Sequence, residues 1–135
     1  MRFNFRPQNH WRHRRFRYRA EVLRCASCGT VNTTSRVVCR RCRSRNLVRE
    51  ELPERGRLVA FTVVKSPTEE HKELAPYVVG LVEFEDGTKV LAPITDADPE
   101  ELRPGMLVER VVRKIAHDGD AGIIVYGFKY RPAIA

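Results

Sequence analysis

No apolar run in this chain of 135 residues approaches the roughly 20 residues needed to cross a membrane as a helix. The N-terminal stretch MRFNFRPQNHWRHRRFRYR is charged and has no apolar centre, so it does not read as a secretory signal. A cytoplasmic, reducing location is the expectation. Glutamine occurs once and asparagine four times, while 31% of residues are charged. That balance suits a protein built for heat. The sequence also lacks a serine elbow of the GxSxG type, a phosphate loop ending GK[ST], a GxGxxG turn and an HExxH pair. Its four histidines, His10, His13, His71 and His117, fall in the basic head or in polar turns, where solvation is the expected fate. A non-enzyme is the reading that these absences favour.

Lysine is missing from residues 1–50, where fourteen arginines face two acids, Glu21 and Glu50, for a net +12. The remaining residues carry −4, which yields the overall +8. A basic head on a mildly acidic body favours an anionic partner: nucleic acid, a phosphorylated ligand or an acidic protein surface. Residues 1–9 read as a loose tail and 10–23 as a helix. On that helix Trp11, Arg15, Tyr18 and Val22 share a face, with Arg12, Arg14, Arg17 and Arg19 as a rim.

No cysteine lies outside residues 25–42, and none is left over. Cys25-Ala-Ser-Cys28 and Cys39-Arg-Arg-Cys42 are two CxxC pairs separated by ten residues. Two such turns deliver four thiolates, the ligand set of a structural zinc site, with iron in a rubredoxin-like site as the rival. Gly29 eases the first turn, and Arg36, Arg40, Arg41 and Arg43 offset the formal −2 of a four-thiolate zinc site. The segment has too few large apolar residues for a core of its own and needs such a staple. A four-thiolate site is closed to substrate, so its role is structural. Asn32-Thr33-Thr34 matches a glycosylation acceptor, read here as a chance match.

From Arg57 onward the pattern turns to β. Runs at 58–65, 77–85, 88–94, 106–115 and 123–130 predict five strands, with Asp86-Gly87 as a hairpin turn. Asp98-Pro99-Glu100-Glu101 predicts a short capped helix between the third and fourth strands. That inter-strand helix favours an OB-type barrel over an SH3-like one. Gly80 and Gly127 are expected at bulges or bends, and Pro93 at an edge. The fold class is mainly β: an N-terminal helix, a rubredoxin-like zinc ribbon and a five-stranded OB-type barrel. The expected divisions are 1–21 for tail and helix, 22–52 for the ribbon and 53–135 for the barrel.

Four stretches carry a resemblance: Arg36-Val37-Val38-Cys39, Ala75-Pro76-Tyr77-Val78, Asp96-Ala97-Asp98-Pro99-Glu100-Glu101 leading to Gly105-Met106, and Tyr126-Gly127-Phe128-Lys129-Tyr130. Together they resemble the zinc-ribbon/OB-fold family, long labelled a domain of unknown function and associated with acyl-CoA metabolism. The resemblance covers about residues 11–132. It implies one zinc on Cys25, Cys28, Cys39 and Cys42, independently of their spacing. It also implies a non-catalytic accessory subunit that bridges acetoacetyl-CoA thiolase and HMG-CoA synthase in the mevalonate route to isoprenoids. Other members partner related thiolase-like enzymes. Trp11, Arg14, Arg15, Tyr18, Arg36 and Tyr77 are the candidate contacts to a partner or to CoA. The chain departs from the family at Thr34-Ser35-Arg36, Arg40 and Arg43, where prolines and a glycine are common. The segment at 66–74 is polar and charged where members often carry a Gly-rich aromatic loop. The alternative function is a nucleic-acid-binding zinc-ribbon/OB module.

Overall fold

The computed structural model describes residues 7–32, 36–68, 75–117, 122 and 124–134. Two compact units meet in sequence at Leu52–Pro53.

The first unit begins with two short helices, α1 (Pro7–Arg12) and α2 (Arg14–Arg19), followed by β1 (Glu21–Cys25), β2 (Val31–Asn32) and β3 (Leu47–Glu51). The three strands form one antiparallel sheet with β1 central. The expected helix over 10–23 therefore stops early. Ala20 turns left-handed (φ 51°), its N–H closing on Phe16 O, and Val22 enters β1 opposite Glu50. Two physical terms favour this outcome. A short helix crowded with like-charged arginines gains little from propagation, and β-branched Val22 fits a paired strand better. Among the described residues of this unit few side chains are buried: Ala20, Val22, Cys25, Asn32, Cys39 and Leu52. The described residues give the sheet little apolar interior of its own, in line with the sequence reading.

The second unit is a closed five-stranded barrel of β4 (Arg55–Val64), β5 (Tyr77–Glu83), β6 (Lys89–Ile94), β7 (Leu107–His117) and β8 (Ile124–Pro132). Around the barrel the order is β4, β5, β6, β8, β7. A 3-10 turn, Pro99–Glu101, sits between the third and fourth strands, with Asp98 Oδ1 accepting the Glu100 N–H at 3.1 Å. This is the OB-type arrangement expected from the sequence. Leu58, Val82, Val108 and Tyr130 point inward from four strands, and Leu102 joins them from just after the turn. At the Asp86-Gly87 hairpin Gly87 has φ 85°, and Asp86 Oδ1 accepts the Thr88 N–H at 3.0 Å.

Closure depends on bends, and the bends are not where glycine suggested. The ladder slips between Leu58 and Ala60 in β4 and between Lys114 and Ala116 in β7. These bulges curve the two longest strands. Gly80 instead pairs regularly with Phe61 and Ala92, and Gly127 with Arg113. A Cβ on Gly80 would lie 2.6 Å from Leu58 Cδ1 and 2.8 Å from Ile94 Cγ1. Close approach in the core, not a bulge, requires that glycine. Pro93 pairs with Val79, and β6 meets β8 only at Ile94, opposite Tyr130. Much of that side of β6 therefore carries no ladder for a proline to interrupt. Residues 69–74, including His71, and residues 118–121 of the expected turn lie outside the described residues.

Candidate metal centre

The two CxxC pairs fold into matching turns. In the first, Cys25 O accepts the Gly29 N–H at 2.9 Å, and the Cys25 N–H donates to Thr30 O at 2.9 Å. In the second, Cys39 O accepts the Arg43 N–H at 3.0 Å, and the Cys39 N–H donates to Ser44 O at 2.8 Å. Both turns need a left-handed residue after the second cysteine. Gly29 supplies it at φ 75°, and Arg43 at φ 62°. The first is free of steric cost, while the second carries a Cβ against the backbone.

The four sulfurs converge to within 4.8 Å of one another. Cys25 and Cys42 Sγ are 3.4 Å apart, and Cys28 and Cys39 Sγ are 3.5 Å apart. A tetrahedron with zinc–sulfur bonds of about 2.3 Å has edges of about 3.8 Å, so the cluster has the size of a tetrathiolate site. Four cysteines in this arrangement can hold one metal ion. With all four positions filled by protein, no coordination position remains for a substrate.

The thiols respond to their crowding. The backbone N–H of Cys42, supported by that of Arg41 and by Asn32, holds Cys39 down to about 6. Cys28 is lowered by the hydroxyl and backbone of Thr30. Cys42 accepts from the Ser44 backbone, yet Cys25, burial and the other two thiols push it up to about 12. The crowding thus opposes ionisation of Cys42, and a cation at the centre would favour its thiolate.

Asn32 is the site residue that sequence reasoning missed, because the Asn-Thr-Thr match drew attention to glycosylation. It is 2% exposed. Its Oδ1 accepts the Arg40 N–H at 2.9 Å, and its Nδ2 donates to Thr30 O at 3.1 Å. It thus ties the two turns together and is closed to a glycan. A polar residue two positions after a Cys-Gly-Thr turn was the only signal available.

The contact candidates are distributed as follows. Trp11 lies in α1, with Arg14, Arg15 and Tyr18 in α2, and Trp11 and Tyr18 are exposed. Val22, expected on the same face, is buried in β1. Arg36 is exposed ahead of the second cysteine pair, and Tyr77 is half-buried at the start of β5 in the barrel unit.

Comparison with known proteins adds what geometry cannot. A family profile described as the C-terminal OB-fold domain of ChsH2 matches residues 49–113. A protein of Methanothermobacter thermautotrophicus, named a DUF35 domain-containing scaffold protein, is 41% identical over 90% of this chain and 92% of its own. The chain belongs to the DUF35 family. A second DUF35 scaffold protein, from Methanocaldococcus jannaschii, is 39% identical over 90% of this chain and 87% of its own. Among solved structures, a chain of the Ltp2-ChsH2(DUF35) aldolase superposes with a TM-score of 0.66 over 98% of both chains at 24% identity, which shows a shared fold.

Proposed function

We propose that this DUF35 protein is a non-catalytic scaffold subunit that joins acetoacetyl-CoA thiolase to HMG-CoA synthase in the mevalonate pathway of the cytoplasm. The observation that carries the reading is its match, over nearly its whole length, to two proteins named as scaffolds. The structural neighbour, the Ltp2-ChsH2(DUF35) aldolase, pairs a DUF35 protein with an enzyme in its name, which supports a partner of the same kind.

The geometry is consistent with that role. Among the described residues the one metal-type cluster is the closed set of Cys25, Cys28, Cys39 and Cys42. We assign zinc to it, since four thiolates at tetrahedral spacing suit zinc best. The metal would supply folding energy to a sheet without a core. Cys25 and Cys28 would anchor the end of β1, and Cys39 and Cys42 the second turn, while Asn32 fixes one against the other.

The scaffold would act through proximity. Condensation of two acetyl-CoA is unfavourable, and the synthase step that consumes acetoacetyl-CoA is favourable. Holding the enzymes together sets a local concentration on the order of millimolar for short linkages and lets the second step draw on the first.

The test is reconstitution of the chain with the two enzymes from the same organism. The expected result is one stable assembly with faster flux from acetyl-CoA to HMG-CoA than the unlinked enzymes give, and no turnover of acyl-CoA by the chain alone. Turnover that co-elutes with the isolated chain and disappears in one of its point variants would defeat the proposal.

A further inference from the structure

The two N-terminal helices bury none of their residues, although they carry large aromatic side chains. Trp11 is 64% exposed and Tyr18 is 47% exposed. The helical hydrogen-bond pattern persists across the break at His13, with His13 N–H donating to Asn9 O and Arg17 N–H to His13 O, both at 3.1 Å. Trp11, Arg14, Arg15 and Tyr18 therefore share one face at helical spacing.

Trp11 has a stacking partner on its own side of the helix. The Arg14 guanidinium stacks over its ring at 4.0 Å from the centroid, and Arg14 Nη1 donates to Trp11 O at 2.6 Å. An indole biased by such a stack toward one orientation loses less entropy on docking than a free one. The stack also covers one face of the ring, which disfavours its use as a sandwich platform for nucleic-acid bases. Around it, Arg12, Arg14, Arg15, Arg17 and Arg19 are met by no carboxylate within either helix. The first acid, Glu21, approaches Arg15 at 4.0 Å and Arg49 at 3.8 Å.

We infer that the Trp11–Arg14 pair is a preorganised anchor that inserts into an apolar pocket rimmed by carboxylates on an enzyme subunit of the scaffolded complex. The inference rests on the scaffold reading and names the surface and the partner chemistry that reading leaves open. Trp11 supplies the buried area, and the arginines supply the charge complement. Arg14 is a positioning residue for the indole.

Trp11 is the chain's single tryptophan, so its fluorescence reports on the anchor directly. The zinc-loaded full chain is titrated in turn with the thiolase, the synthase and a single-stranded oligonucleotide, and its own association state is measured by sedimentation. The expected result is a blue-shifted emission with one of the enzymes. Trp11→Ala should weaken that binding by about tenfold or more, as for an interface hot spot. Arg14→Gln should weaken it less and flatten its salt dependence. Metal content and circular dichroism of both variants should match the parent chain. If the parent assembles with the enzymes while its emission stays unchanged and Trp11→Ala binds equally well, the anchor is refuted and the scaffold stands. If neither enzyme binds, both readings fall. Binding of the oligonucleotide alone, lost in Trp11→Ala, would hand the surface to nucleic acid. Self-association lost in the same variant would hand it to a second copy; either result overturns the inference.

Discussion

Asn32 accepts the backbone N–H of Arg40 through Oδ1 at 2.9 Å, from a side chain that is almost wholly buried. This bond joins the β1–β2 hairpin to the turn that presents Cys39. Replacing Asn32 with Ala removes the acceptor of the part-buried Arg40 N–H, at a cost of about 0.5–1.5 kcal/mol. Affinity of the ribbon for zinc should fall by about tenfold or more, measured by competition with a coloured chelator. An unchanged affinity would mean that the four cysteines position themselves.

The two cysteine turns make a reciprocal pair of tests. Arg43 is left-handed at φ 62° where Gly29 is left-handed at φ 75°. Arg43→Gly should raise the melting temperature of the zinc-loaded chain, reflecting relief of about 1 kcal/mol. Gly29→Ala should lower it by a similar amount, although a Cβ there meets nothing within 4 Å. The cost in that second variant is conformational, so a loss in Gly29→Ala without a gain in Arg43→Gly would show that the arginine's own contacts outweigh its strain.

Zinc binding should release protons at neutral pH. Cys42 is pushed up to about 12 in the metal-free cluster, while Cys39 is held at about 6. Cys39 is thus mostly ionised before metal arrives, and Cys42 must shed its proton on binding. Calorimetry in buffers of different ionisation heat should report at least one proton per zinc. Chelation should melt the cysteine unit while the β signal of the barrel persists, because the barrel carries its own interior. Loss of both together would show that the metal supports the whole chain.

The division between what the sequence reveals and what it hides has a physical basis. The barrel strands were legible because β-branched runs and turn residues act locally. Asp86-Gly87 and Asp98-Pro99 set their turns through their own side chains and dihedrals. Cysteine spacing was legible because metal ligation demands few residue types. The end of α2 was not, since it depends on Val22 finding a partner in β3, far along the chain. The bulges at 58/60 and 114/116 carry no glycine and arise from barrel closure, which no short window contains. Asn32 passed as a chance glycosylation match with no role of its own, because burial is a property of the fold and not of three adjacent letters.

Barrel closure should also show an acid limb. Asp96, left-handed at φ 59°, binds Arg113 Nη2 at 2.7 Å and lies 3.6 Å from Arg131 Nη1. The Arg113 hydrogen bond is the largest influence that holds its carboxyl below the ordinary range. A depressed carboxylate contributes stability that is fully present above its unfolded value of about 3.9 and is lost as pH falls through the lower folded value. The group is exposed, so the effect is modest. Asp96→Asn should destabilise the barrel slightly at neutral pH and reduce the slope of stability below about pH 4. An identical acid limb in the variant would assign that slope to other carboxylates.

Gly80 offers the sharpest test of the barrel interior. It sits in β5 between Phe61 and Ala92, facing Leu58 and Ile94. A methyl group at this position would approach Leu58 Cδ1 to 2.6 Å and Ile94 Cδ1 to 2.9 Å, distances that require neighbouring side chains to move. Leu58 is fully buried and Ile94 nearly so, and a packed interior has little room for that movement. Gly80→Ala should therefore destabilise by about 1–3 kcal/mol, despite the higher strand propensity of alanine. The melting temperature should fall by about 4–8 °C per kcal/mol for a unit of this size. Ile94→Ala removes both Ile94 atoms that crowd this position, Cγ1 and Cδ1, and leaves Leu58 as the remaining obstacle. If steric crowding is the cause, the double variant should be more stable than the sum of the single losses predicts. Strict additivity would mean that Gly80 is needed for its backbone and not for the space it leaves.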